Sequence, residues 1–204
     1  MKLKKIILEN FRGYNKAEIN FDDNMNVIIG RNDIGKSTIL EALELFINGE
    51  DRDCQIKIDP DDCNILSENK KIIIGACFKI RKDEQIVIDS TNPTNLSEEY
   101  LLNSEGLLEI HKVYDCSKQK INKTDIKTYI IANYPSVFEK PLVTMKITEL
   151  KKKLDELKDS IDNYNSIDKT KSAEIRKAIY KVSDVQDKVL TYIDINASDD
   201  TKNV

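Results

Sequence analysis

The residues best suited to chemistry lie between Gly30 and Ser37, in the stretch GRNDIGKS. A glycine, four intervening residues and Gly35-Lys36-Ser37 satisfy the pattern G-x-x-x-x-G-K-[ST]. Glycines permit a tight loop whose backbone N–H groups turn inward, and a helix starting at the loop's end presents its positive terminus to phosphate. In that geometry Lys36 would reach the β- and γ-phosphates of a nucleotide, the hydroxyl of Ser37 would hold Mg²⁺, and Thr38 would support the α-phosphate side. Asp33 stands where many such loops carry glycine. A carboxylate beside phosphate is repulsive, so Asp33 either turns outward to a partner or a water-bound ion, or caps its own backbone.

Short patterns of this kind arise by chance in lysine-rich chains, so their neighbours decide. Val27-Ile28-Ile29, apolar on both faces, predicts a strand in the middle of a sheet. After Ser37 the period becomes helical, with Ile39, Leu40, Leu43, Phe46 and Ile47 on one face and Asn48-Gly49 as a stop. Upstream, residues 2–9 read as a first strand, and Ala17, Ile19 and Phe21 alternate with polar residues in a second. Residues 50–70 are polar and acidic and read as an irregular excursion. The runs 71–80, 84–89, 107–115 and 128–135 predict a largely antiparallel meander, with a short helix near 96–102.

Beyond Pro141 the composition changes. Val143, Ile147, Leu150, Leu154, Leu157, Ile161 and Tyr164 form a heptad seam, and Ile175, Ala178, Val182, Val185, Val189 and Tyr192 form a second. The break at 165–172 between them predicts an antiparallel helical hairpin that covers its own seam or serves as a dimerisation arm. The expected organisation is a head lobe over 1–141, a hairpin over 142–195 and a frayed end over 196–204. The fold class is α/β of the P-loop NTPase type, with an antiparallel β-subdomain and the C-terminal hairpin.

Composition narrows the function classes. The chain has 204 residues, 40% hydrophobic and 33% charged, and a formal net charge of −4. That balance argues against a surface wholly built to grip nucleic acid, though it leaves room for a local basic groove. Lys112, Lys118, Lys120, Lys123 and Lys127 form such a basic run, without the aromatic interleaving that base stacking needs. Cys54, Cys63, Cys77 and Cys116 contain no CxxC pair and His111 is the only histidine, so a zinc site is not expected. No apolar stretch is long enough to cross a membrane. The apolar run Ile6-Ile7-Leu8 is too short for a signal peptide, so a cytoplasmic location is expected.

The order of ENFRGY (Glu9 to Tyr14), amphipathic strand, apolar run, GxNxxGKST and STILEALELFING (Ser37 to Gly49) resembles the head domains of the RecF, SMC and OLD-type ATP-dependent endonuclease group within the ABC ATPases. Asn32 followed by Asp33-Ile34 and Gly35 is most similar to the OLD/Gabija-type branch. The resemblance is close over residues 1–49. It implies that Gly30, Arg31, Asn32, Asp33, Ile34, Gly35, Lys36, Ser37 and Thr38 wrap the nucleotide, and that Arg12 lies near it. A solvated arginine at a strand end is the competing reading of Arg12.

Phosphoryl transfer needs further parts: an acidic residue after an apolar strand, a γ-phosphate-sensing glutamine and a signature loop from a second head. Asp89, after Ile86-Val87-Ile88, is a poor match for the first, and Asp194 is expected at a helix end. Gln85 and Gln119 are equal candidates for the second. Leu66-Ser67-Glu68 lacks the glycines of the third, and Asp59, Asp61 and Asp62 read as a solvated turn. In the resembling families these parts lie C-terminal to a helical insertion. The resemblance therefore implies an ATP-Mg²⁺-binding lobe that becomes an ATPase when a C-terminal lobe completes it. It also implies a head-to-head homodimer and work on DNA in repair or antiphage defence, with any nuclease module outside residues 1–204. The alternative is a non-hydrolysing, nucleotide-dependent interaction module.

Overall fold

The computed structural model describes residues 1–31, 35–49, 54, 56–80 and 94–197. Six strands form one sheet: β1 (Lys2–Phe11), β2 (Tyr14–Asn20), β3 (Lys71–Lys79), β4 (Leu108–Asp115), β5 (Ile126–Pro135) and β6 (Lys188–Asp194). Their order is β2-β1-β3-β4-β5-β6. Among the described residues three α-helices accompany them: α1 (Lys36–Asn48), α2 (Ile147–Glu156) and α3 (Ser172–Val182). By proximity the chain divides into two compact units, one comprising 1–79 with 109–129 and the other 80–108 with 130–204.

In the first unit β1 pairs antiparallel with both β2 and β3, in registers that set Ile6 opposite Ile19 and Ala76, and Leu8 opposite Ala17 and Ile74. Because side chains alternate, Ile6 and Leu8 share one face with Ile72, Ile74 and Ala76 of β3. All five are buried with Ile39, Ala42, Leu45 and Phe46 of α1, so the helix is held by its apolar stripe. The stripe is rotated from the expected one: Leu40 and Ile47 are exposed, and Ala42 and Leu45 face inward. On the other face Gly75 stands opposite Ile7, and a Cβ there would lie 2.6 Å from His111 Cδ2. The single histidine is thus seated in the sheet over a glycine, with its Nε2 2.8 Å from Glu109 Oε1.

The run Val27-Ile28-Ile29 departs from expectation. It forms no strand, and its side chains are 69%, 36% and 87% exposed. A strand apolar on both faces is stable only when neighbours pair its edges and layers cover its faces. Among the described residues no strand pairs with it. Of the expected meander, the runs at 71–80, 107–115 and 128–135 are β3, β4 and β5; the run at 84–89 lies outside the described residues.

In the second unit the helical hairpin is shorter than the two seams. The first helix stops at Glu156, with Leu150 and Leu154 buried one turn apart. Ile161 is extended after the 3₁₀ turn Lys158–Ser160, and Tyr164 opens another after Asn163, whose φ of 57° is left-handed. The second helix ends where Ser183 becomes extended and its hydroxyl donates to Ile179 O at 2.8 Å. Val189 and Tyr192 therefore lie in β6, not in a helix. The stretch KVLTYID is dense in β-branched and aromatic residues, and β5 offers it an edge.

The core of this unit is aromatic. Tyr134 and Tyr180 are joined through their hydroxyls at 2.6 Å, and Tyr134 accepts the N–H of Leu142 at 2.8 Å. Phe138 and Tyr100 meet Tyr180 edge-on, with centroids 5.6 and 5.0 Å away. Burial pushes the Tyr134 phenol up to about 12 and raises Tyr180 well above the ordinary tyrosine range. A phenol whose folded value exceeds its unfolded value contributes stability that is whole below about pH 10 and falls away as pH climbs through the folded value. Alkaline titration followed at 295 nm should show late-ionising tyrosines whose appearance coincides with loss of thermal stability above about pH 10. Ionisation of every tyrosine near pH 10 with the fold intact would contradict that packing.

Candidate functional site

The turn into α1 carries the site. Gly35 precedes the helix with φ 92° and ψ 13°, a conformation that disfavours any Cβ. A Cβ there would also lie 2.8 Å from the hydroxyl of Tyr14, which donates to Gly35 O at 3.3 Å. The tyrosine tip can swing aside, so the backbone is the harder constraint. Gly35→Ala should lower stability by about 1–2 kcal/mol and shift the turn that aims α1. Denaturant titration with an amide spectrum of residues 36–38 checks this, and unchanged stability with unchanged shifts would refute it.

Among the described residues no side chain caps the N-terminus of α1, and its first turn carries no acid. The leading N–H groups and the helix dipole are therefore available to an anion. The hydroxyls of Ser37 and Thr38 stand in this first turn, Ser37 exposed and Thr38 half-buried. Lys36 Nζ donates to Gly30 O at 2.7 Å and to Arg31 O, so the ammonium lies across the loop it belongs to. The structure thus brings Gly30, Arg31, Gly35, Lys36, Ser37 and Thr38 to one turn. Asn32, Asp33 and Ile34 lie outside the described residues.

Arg12 occupies the two-residue turn between β1 and β2 with φ 50°, in the left-handed region that a bulky side chain rarely visits. Its surroundings hold it there. The guanidinium pairs with Glu41 of α1 and, at 2.8 Å, with Asp62, while its N–H donates to Asp62 O at 2.6 Å. Burial works against the charge, but the hydrogen bonds to Asp62 and Glu41 outweigh it, and Arg12 binds its proton more tightly than usual. Asp62 is fixed in turn by a 3₁₀ turn, Pro60–Asp62, in which Asp59 and Asp62 cap each other's backbone. Asn64 extends the tether, donating from its side chain to Arg12 O at 2.7 Å.

Asp59 and Asp61 are thus exposed in a turn, as expected, while Asp62 of the same turn braces Arg12. Glu41 and Asp62 escape a sequence reading because nothing in their spacing from Arg12 announces the pairing. Among the other candidates, Asp194 ends strand β6, not a helix, and accepts the N–H of Asn196 at 2.8 Å. Gln85 and Asp89 lie outside the described residues. Ser67 is buried in a turn, its hydroxyl 3.0 Å from Asn69 Oδ1. The basic run is partly neutralised, since Lys118 pairs with Asp125 and Lys112 lies 5.7 Å over the Phe46 ring. Among the described residues no group of acids, cysteines or histidine could hold a metal ion by itself.

The glycine turn, the helix that follows it and the antiparallel hairpin before it lie within residues 1–204, all of which match the family model described as an AAA ATPase domain. The chain belongs to the AAA ATPase domain family. Three curated relatives carry local similarity to this ATPase domain. The DNA replication and repair protein RecF of Acetivibrio thermocellus is 31% identical over 124 residues, covering 60% of this chain and 26% of that protein. Endonuclease GajA of Bacillus cereus is 48% identical over 52 residues, 26% of this chain and 9% of that protein. The DNA double-strand break repair Rad50 ATPase of Thermococcus kodakarensis is 46% identical over 43 residues, 21% and 5% respectively. The matched stretch is thus about a quarter of the RecF relative and far less of the other two. Among the described residues of the ATPase domain, no helix is long and apolar enough to cross a membrane.

Proposed function

We propose that this ATPase domain binds ATP with Mg²⁺ through Gly30–Thr38 and forms the N-terminal lobe of an ABC-type head. The observation that carries the reading is the uncapped, acid-free start of α1 behind a left-handed Gly35, with Ser37 in its first turn. Those residues fit a nucleotide phosphate: Lys36 can exchange the carbonyls of Gly30 and Arg31 for phosphate oxygens, and N–H groups of the first turn point the same way. Ser37 supplies a hydroxyl to Mg²⁺, whose bound form neutralises phosphate charge. Asn32, Asp33 and Ile34 complete the G-x-x-x-x-G-K-S pattern in sequence and are included in the proposal. Arg12, braced by Glu41 and Asp62, sets the turn beside α1, and we place it near the nucleotide.

A C-terminal lobe carrying the acidic strand end and the signature loop completes the site, and hydrolysis waits on it. The exposed Val27-Ile28-Ile29 supports this, since an apolar run without pairing strands is a surface for added strands. Residues 1–141 are the nucleotide lobe in this reading. Head-to-head dimerisation and cytoplasmic work on DNA follow from the likeness to RecF, GajA and Rad50. The deciding experiment measures Mg-ATP binding and phosphate release by the chain and by Lys36→Ala.

A further inference from the structure

The second unit contains a cavity of about 280 Å³ that the nucleotide reading leaves unused. It opens beside α3, between the segment 94–100 and the helix, and is lined mainly by apolar surface. Tyr100 and Tyr180 supply that surface. At its wall stands Thr94, only 9% exposed, whose Oγ1 has no hydrogen-bond partner among the described residues. A buried hydroxyl left unpaired is costly and rare in native structures, and here it lines a space large enough for a ligand.

The charges around the cavity divide cleanly. Glu99 is 2% exposed and receives the guanidinium of Arg176 through Nε at 2.9 Å and Nη2 at 2.9 Å, so this buried pair forms neutral structural wall. Lys177 and Lys181 stand one turn apart on α3, both exposed and both lining the mouth. Like charges at this spacing repel, and an anion between them relieves the repulsion. Glu98 also lines the mouth, and against the two lysines it leaves a net positive charge there.

We propose that this cavity binds a small planar aromatic anion. Its ring lies against Tyr100 and Tyr180, its carboxylate or phosphate sits between Lys177 and Lys181, and a polar ring substituent bonds the hydroxyl of Thr94. The volume falls just below the range of about 300–1,000 Å³ typical of small-molecule pockets, which suits one ring with its substituents. This site is independent of Lys36 and of the proposed nucleotide function.

Calorimetric titration of the whole chain with phenyl phosphate tests it, with inorganic phosphate and phenol as probes of each half. The titrations are run in the Lys36→Ala background, so that phosphate binding by the loop at 30–38 is weakened, and the lysine and threonine variants report on the cavity alone. Phenyl phosphate should bind at least about tenfold tighter than inorganic phosphate, the ring supplying the difference. The double variant Lys177→Ala/Lys181→Ala should weaken it about tenfold or more. Thr94→Val should weaken a ring-substituted probe, 4-hydroxyphenyl phosphate, about threefold or more, with Thr94→Ser restoring it. These substitutions lie at the surface or conserve volume, and a thermal melt of each variant verifies the fold. Absence of saturable phenyl phosphate binding overturns the proposal. So does equal affinity for inorganic phosphate, or binding indifferent to the lysine and threonine changes.

Discussion

Replacing Lys36 by alanine is expected to weaken Mg-ATP binding by about tenfold to a hundredfold. Lys36 is the cation that the loop itself holds across Gly30 and Arg31, at 2.7 Å from the first carbonyl. A hydrogen bond to a charged group contributes about 1.5–3 kcal/mol, which converts to the range stated. The fold should survive, since the lysine is half-exposed and its removal opens no cavity in the core cluster around α1. Equilibrium titration with a fluorescent ATP analogue reads the affinity, and a melt reads the fold. Equal binding by the two proteins would remove Lys36 from the site and with it the nucleotide reading. Phosphate release by the unaltered chain should be negligible, because the γ-phosphate environment requires a second lobe. Steady turnover that disappears in Lys36→Ala would instead place a complete catalytic set within residues 1–204.

The largest stability effect is expected at Arg176. Its side chain is 0% exposed and that of Glu99 2%, and the two meet in a fork of hydrogen bonds at 2.9–3.1 Å. Arg176→Ala leaves a carboxylate in the interior without its guanidinium, a loss of about 3–5 kcal/mol. A domain's whole stability is about 5–15 kcal/mol, so the variant should be partly unfolded at 37 °C. Urea titration measures it. The double change Glu99→Leu/Arg176→Met should recover most of the loss, because no buried charge is stranded when both partners become apolar. A single variant as stable as the parent would mean that the pair opens to water.

Much of the candidate site was legible in the chain itself. The glycine at position 35 needs a left-handed turn wherever it is placed, and the change of apolar period after Ser37 announces a helix that begins there. Gly35 does adopt φ 92°, and α1 begins at Lys36. The strands β1 and β3 were readable as apolar runs, and β2 from the alternation of Ala17 and Ile19 with polar residues. Local pattern was enough because each of these elements buries its stripe against a close neighbour.

Other features were decided only in three dimensions. Val27-Ile28-Ile29 has the composition of a central strand, yet strand formation needs edges to pair with, and none is supplied among the described residues. Val189 and Tyr192 fit a heptad seam by spacing, but they join β6 because β5 presents hydrogen-bonding groups that a frayed helix end cannot match. Arg12 could be singled out from the sequence, whereas its partners Glu41 and Asp62 could not, being 29 and 50 residues away in the chain. Glu99 and Arg176, 77 residues apart, show the same thing. Periodicity records which face of an element is apolar. Which charges meet, and which apolar runs find a neighbour, depends on long-range packing that no local spacing encodes.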